Sequence, residues 1–95
     1  MNINQLDREI VFHLNTVEEN FSAMARELAT PAPDVAALRA RVQRVDVLNG
    51  ENHSRLAQVR ALRWMRKQLL KELAEETKAV QEFDSAVNIQ KGESR

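Results

Sequence analysis

The sequence predicts an all-α fold, an antiparallel helical hairpin with a long second helix. Three observations predict it. Glycine and proline number two each in 95 residues and aromatics make up 4%, so turn formers and β-formers are both scarce. Apolar residues recur at spacings of three and four along most of the chain, which is the period of one helix face. A single strong breaker, Thr30-Pro31-Ala32-Pro33-Asp34, splits that pattern into a short segment and a long one.

The first helix is expected over residues 3–29. Ile10, Leu14, Val17, Phe21, Met24 and Leu28 form its stripe, with Ile3 and Leu6 leading in. Arg8, Asn15, Thr16 and Glu19 lie opposite, with Phe12 among them. A residue before proline avoids the α region, so this helix ends near Ala29. Thr30 or Asp34 can cap the next helix, because a short side-chain oxygen accepts from unpaired first-turn N–H groups. So short a connection makes the flanking helices antiparallel neighbours.

The second helix is expected over residues 34–87, with "NIQKGESR", residues 88–95, as a frayed polar tail of one helical domain. Val35, Leu38, Val42 and Val45 begin its stripe; Leu56, Val59, Leu62, Leu69, Leu73 and Val80 continue it. Between them stands "VDVLNGENHSRL", residues 45–56. Leu48-Asn49-Gly50 resembles a helix C-cap and Ser54 a fresh N-cap, which together give a compact three-helix bundle. Yet the spacing 35, 38, 42, 45 continues as 49, 52, 56, 59 without slipping. A turn has no reason to keep helical phase, and one interior glycine costs about 1 kcal/mol. Phase therefore favours one helix, with Asn49 and Asn52 at stripe positions. Such a helix spans about 80 Å at ~1.5 Å per residue. The first helix covers about half of it, and the rest calls for a second subunit, as in a homodimer, or another partner.

Composition excludes several classes of function. Acidic and basic residues cancel and cysteine is absent, so neither a disulfide framework nor a thiolate metal site is expected. No signal peptide or membrane span is legible, and a cytoplasmic location is expected. His13 and His53 have no metal-ligand spacing, Gly-rich phosphate loops are lacking, and Glu18-Glu19 and Glu75-Glu76 diverge by about 100° on a helix. No enzyme, cofactor or metal site is expected.

Charge is distributed unevenly. Residues 1–30 carry net −3, residues 55–71 carry +6 with no acid, and residues 72–95 carry −3. The basic segment can pair with the acidic first helix, meet an acidic or amphipathic protein partner, or contact phosphates. Trp64 faces away from Val59, Leu62, Leu69 and Leu73, with Arg60, Ala61, Lys67 and Gln68 one turn away. An exposed Trp among cations is the kind of residue that anchors interfaces. Phe12 is similarly off-stripe, and the two rings could instead pack in a second seam. Arg55 and Arg66 fall near the apolar face and call for a carboxylate, a partner or a snorkelling path.

Residues 41–73, "RVQRVDVLNGENHSRLAQVRALRWMRKQLLKEL", resemble the C-terminal long helix of the FlgN/FliT-type flagellar type III export chaperones. There a Leu-rich stretch leads to an Asn-rich helical turn, roughly L-N-x-x-N-x-x-L-L. Here Leu48, Asn49, Asn52 and Leu56 take those places, with Arg55-Leu56 for the paired leucine. The resemblance covers about a third of the chain. It implies a small cytoplasmic helical chaperone that keeps the C-terminal amphipathic helix of a secretion substrate soluble, with Asn49, Asn52, Leu56 and Val59 lining the substrate groove.

The expected function is non-enzymatic binding of an amphipathic or acidic protein helix, as an export chaperone or adaptor. Asn49, Asn52, Leu56, Val59, Arg60, Arg63, Trp64, Lys67 and Phe12 are the candidate partner-binding residues. The alternatives are a nucleic-acid-binding regulator acting through residues 55–71, and a structural coiled-coil subunit or small inhibitory protein.

Overall fold

The computed structural model describes the backbone of residues 1–93 and the side chains of residues 1–87. It is an all-α hairpin of two helices, α1 (Ile3–Ala29) and α2 (Val35–Glu93), packed against each other. The pairing of Glu27 with Arg44 near the connection and of Asp7 with Arg66 far from it shows the antiparallel sense.

Side chains close both helix ends at the connection. Thr30 takes an extended conformation, φ −80° and ψ 126°, as the following proline demands. Its N–H bonds the carbonyls of Arg26 and Glu27, and its hydroxyl donates to the Arg26 carbonyl at 2.8 Å. Asp34 Oδ1 accepts from the Ala37 N–H at 2.8 Å and so opens α2. Of the two capping candidates, Thr30 closes the first helix and Asp34 caps the second. At the other end of α1, Asn2 and Gln5 form a reciprocal capping box; the N-x-x-Q spacing at residues 2–5 carried that signal.

α2 runs through Gly50 without a break. No positive φ occurs there, and a Cβ at Gly50 would meet nothing within 4 Å. The stretch 45–56 is therefore helix. Beyond Val87 the helix continues to Glu93, over most of the stretch expected to fray. Residues 88–91 contain no proline or glycine to interrupt the backbone ladder. Ser94 and Arg95 lie outside the described residues.

The resulting shape is a rod of 91 × 15 × 15 Å. Its radius of gyration is 25.1 Å, against about 12 Å for a compact domain of this length. Its accessible surface is 7579 Å², against roughly 5,600 Å² for a compact protein of this mass.

One seam holds the rod together. On α1 it runs through Ile3, Leu6, Ile10, His13, Val17, Asn20, Met24 and Glu27. On α2 it runs through Arg41, Val45, Leu48, Asn52, Arg55, Val59, Leu62, Arg66 and Leu69. All of these are buried or half-buried, and their alternating three–four spacing is that of a coiled-coil heptad. Leu6, Ile10, Val17, Val59 and Asn52 are its buried members, Leu6 and Asn52 the most completely.

This seam differs from the stripe read from spacing alone. Phe21 and Leu28 are exposed, at 53% and 63%. Asn49 is also exposed, and Leu48 takes the seam position. Val35, Leu38 and Val42 are exposed too. The apolar stripe is broad, in the manner of helices that meet more than one neighbour. Two helices alone bury only its narrow central rows, and the adjoining row stays on the surface.

α1 also ends well before α2. Met1, Asn2, Ile3 and Asn4 share a groove with Leu69 and Leu73, and every residue from Lys71 to Ala86 is exposed. Residues 74–93 thus project alone for about 30 Å at ~1.5 Å per residue.

Candidate functional site

Three regions of the rod carry side chains with functional potential. The first is one flank of the hairpin, near the connection. The positions directly after alternate seam residues are Leu14, Phe21 and Leu28 on α1, and Val35, Val42, Asn49 and Leu56 on α2. Asp7, Arg63 and Leu70 occupy the same class of position and line one groove together, which puts these rows of both helices on one side. Asp7, Leu14 and Leu56 are half-buried, and the rest are exposed. The opposite flank holds Glu9, Thr16 and Ala23 of α1 with Arg44, Glu51 and Gln58 of α2 and is largely polar. Phe21, Leu28, Val35 and Val42 thus form a run of exposed apolar side chains along one flank, whereas Val47 and Met65 are exposed apart from it, and clustered exposure marks interaction surfaces.

The second region is the polar part of the seam. Asn20 Nδ2 donates to Asn52 Oδ1 at 2.9 Å. Asn52 is 2% exposed, and its own Nδ2 has no hydrogen-bond partner among the described residues. Arg55 donates to Glu51 Oε1 at 3.0 Å and lies 3.0 Å from His13 Nδ1. Arginine only donates, so this contact is a hydrogen bond in the tautomer whose Nδ1 accepts. The Arg55 guanidinium also sits 5.5 Å from the centroid of the Phe12 ring, within cation–π range. Phe12 meets His13 edge-on at 5.7 Å; no ring contact joins it to Trp64 among the described residues.

Charge pairs close the hairpin at both ends. Arg66 Nε donates to Asp7 Oδ1 at 2.6 Å. Arg44 grips Glu27 through two hydrogen bonds of 2.8 Å. Those bonds hold the Glu27 carboxyl below the usual carboxylate range and raise Arg44 in turn, because each favours the charged form of its partner. The two arginines that fell near the apolar face in sequence are thus accounted for: Arg66 pairs with an aspartate of α1, and Arg55 with Glu51, His13 and Phe12.

The third region is the outer surface of α2. Arg60, Arg63, Trp64, Lys67 and Lys71 are exposed, Trp64 at 64%. None of these four cations has an ion pair with a described carboxylate.

The candidate partner-binding residues therefore divide. Phe12, Asn49, Arg60, Arg63, Trp64 and Lys67 lie on the surface, and Leu56 is half-buried. Asn52 and Val59 are buried beneath α1, so the closed hairpin does not offer them to a partner. Phe21, Leu28, Val35 and Val42 are instead the exposed apolar residues of this flank. The seven-residue recurrence of Leu14, Phe21 and Leu28 was the available signal for that flank.

Among the described residues, no group of three His, Cys, Asp or Glu side chains is placed to hold a metal ion. No described helix is long and apolar enough to cross a membrane. Comparison with family models, with curated proteins and with solved structures yields no match.

Proposed function

We propose that this chain is a non-enzymatic helix-binding protein, a small cytoplasmic chaperone or adaptor. It receives an amphipathic helix of another protein along the flank formed by Phe21, Leu28, Val35 and Val42. The observation that carries this reading is the clustered exposure of these apolar side chains beside a seam already closed by two helices. A third helix laid there completes a three-helix bundle and covers the apolar row that α1 and α2 leave in water. At about 25 cal/mol per Å² of apolar area, covering these four side chains supplies several kcal/mol before the cost of association. The exposed Asn49 sits within the row and can fix the register of the incoming helix through a hydrogen bond.

The export-chaperone form of this reading rests on the Leu48, Asn49, Asn52 and Leu56 pattern. Burial of Asn52 narrows the groove it implies to Asn49 and Leu56. A photo-reactive amino acid at Phe21 or Leu28 tests the proposal inside cells. The expected adduct joins the chain to an amphipathic helix of a different protein, with none formed from Asn15 on the polar side. Absence of an adduct from either flank position would sink it.

A second reading is favoured by Arg60, Arg63, Lys67 and Lys71, which carry no described ion pair and surround an exposed Trp64. Cations flanking an aromatic ring suit single-stranded nucleic acid, where bases stack and phosphates bind. It requires affinity for an oligonucleotide that falls steeply with salt. A flat titration at low salt removes it.

A further inference from the structure

Two parts of α2 have no partner in the hairpin, and they complement each other. One is the projecting segment beyond Leu73. It continues the heptad of the seam through Leu73, Val80, Phe83 and Val87, yet Leu73, Val80 and Phe83 are exposed, Phe83 at 68%. Residues 72–87 carry five carboxylates and one lysine, net −4. The other part is the basic stretch just before it. Of its six cations, Arg55 and Arg66 are engaged within the hairpin, leaving Arg60, Arg63, Lys67 and Lys71, which is +4.

Between these cations and α1 lies an open groove of about 440 Å³, lined by Asp7, Ile10, Arg63, Arg66, Lys67 and Leu70. Its apolar surface comes from Ile10 and Leu70, and Arg63 and Lys67 supply positive charge at its edge. It lies on the same flank as the row from Phe21 to Val42 but at the far end of the rod.

We propose that two copies of this chain associate antiparallel, the projecting segment of each lying in the basic groove of the other. The twofold axis crosses α2 between the basic stretch and the acidic one. Such an interface is isologous, so one surface must complement itself. α2 meets that condition because its charges reverse sign across a single point, Lys71-Glu72. An acidic segment running back along a basic one then matches at both ends at once. About that axis Leu73 meets Leu70, Val80 and Phe83 lie level with Ile10 at the groove, and Glu76 and Glu82 answer Lys67 and Arg63.

Area agrees with this. The chain exposes 7579 Å², roughly 2,000 Å² more than a compact protein of its mass. A stable interface removes about 800 Å² from each partner. The alternative in which the two projecting segments pair only with each other sets −4 against −4. The proposal does not rest on the flank near the connection, which this dimer leaves open.

Sedimentation equilibrium of the full chain tests it, with helical content followed by circular dichroism. The expected mass is twice the chain's 10.9 kDa, with association weakened by salt. One variant carries Arg63→Glu and Lys67→Glu, and another carries Glu76→Lys and Glu82→Lys. Each alone should associate more weakly by on the order of thirtyfold, since attractive pairs at both ends become repulsive. Mixed one to one, they should form a heterodimer of near wild-type affinity, because both contacts are then complementary again. A wild-type chain that stays monomeric at high concentration overturns the proposal. So does a dimer that survives both sets of reversals, or a mixture that fails to associate while each variant keeps its helical content.

Discussion

Replacing Asn52 by leucine should stabilise the hairpin, although it deletes a hydrogen bond. Asn52 is 2% exposed. It accepts one bond, from Asn20 at 2.9 Å, while its Nδ2 has no partner among the described residues. The lost hydrogen bond is worth about 0.5–1.5 kcal/mol net, and a buried donor without a partner costs about 1–3 kcal/mol. Leucine has nearly the same shape and adds apolar burial between Val45 and Val59. Asn20 is only half-buried and can turn its amide towards water. The balance is a gain of about 1–2 kcal/mol, or a rise in melting temperature of roughly 5–10 °C for a chain of this size. Asn20→Ala should act oppositely, since it leaves both polar ends of Asn52 buried without a partner, and should cost about 1–3 kcal/mol. Thermal unfolding followed by circular dichroism reads both changes, at one protein concentration because association would shift the midpoint. A clear loss of stability in Asn52→Leu would refute the reasoning. It would mean that the Asn52 amide is satisfied in solution by a group outside the hairpin.

Three further outcomes rest on local geometry. Gly50→Ala should raise stability by about 1 kcal/mol, since the added Cβ meets nothing within 4 Å and alanine is the better interior helix residue; a loss in thermal unfolding would point to a turn there. Asp34→Ala removes the oxygen that accepts from the Ala37 N–H and should cost about 1 kcal/mol, with fraying visible as faster hydrogen exchange in the first turn of α2. The Arg44 hydrogen bonds depress the Glu27 pKa in the folded chain. The stabilisation this brings is present above the unfolded glutamate value, about 4.3, and is lost as pH falls through the folded one. Glu27→Gln should therefore narrow the stability difference between pH 7 and pH 3, read as the gap between two melting temperatures.

The sequence was most informative where one residue type has one physical consequence. Pro31 and Pro33 ended the first helix, and unbroken spacing across Gly50 carried the second. The choice of seam was harder to read. Leu14, Phe21 and Leu28 are as apolar as His13, Asn20 and Glu27 are polar, so hydropathy alone favoured the wrong row. The polar row lies inside because its members find partners across the seam: His13 with Arg55, Asn20 with Asn52, and Glu27 with Arg44. Such pairs join residues 17 to 42 positions apart and are invisible to a periodicity argument. The same shift changed the candidate site. Asn52 and Val59 moved inside, Asn49 moved out, and the surplus apolar row became the surface on offer. The off-seam position of Trp64, by contrast, was legible, because its angular distance from Val59, Leu62, Leu69 and Leu73 does not depend on the choice of row; that it is exposed rather than packed in a second seam came from the structure.

Both uncovered surfaces exist because α2 is one helix, longer than α1 and unbroken at Gly50. The chain has no cysteine, so Gln43→Cys and Lys78→Cys give a doubly spin-labelled chain without background. Diluted into unlabelled chain and measured by pulsed dipolar spectroscopy, the labels should lie about 52 Å apart, thirty-five residues at ~1.5 Å each. A turn at residues 49–53 would fold the two segments back on each other and bring the labels to about 30 Å on the same helical rise. The shorter distance would contradict the account, and the longer one is its prediction.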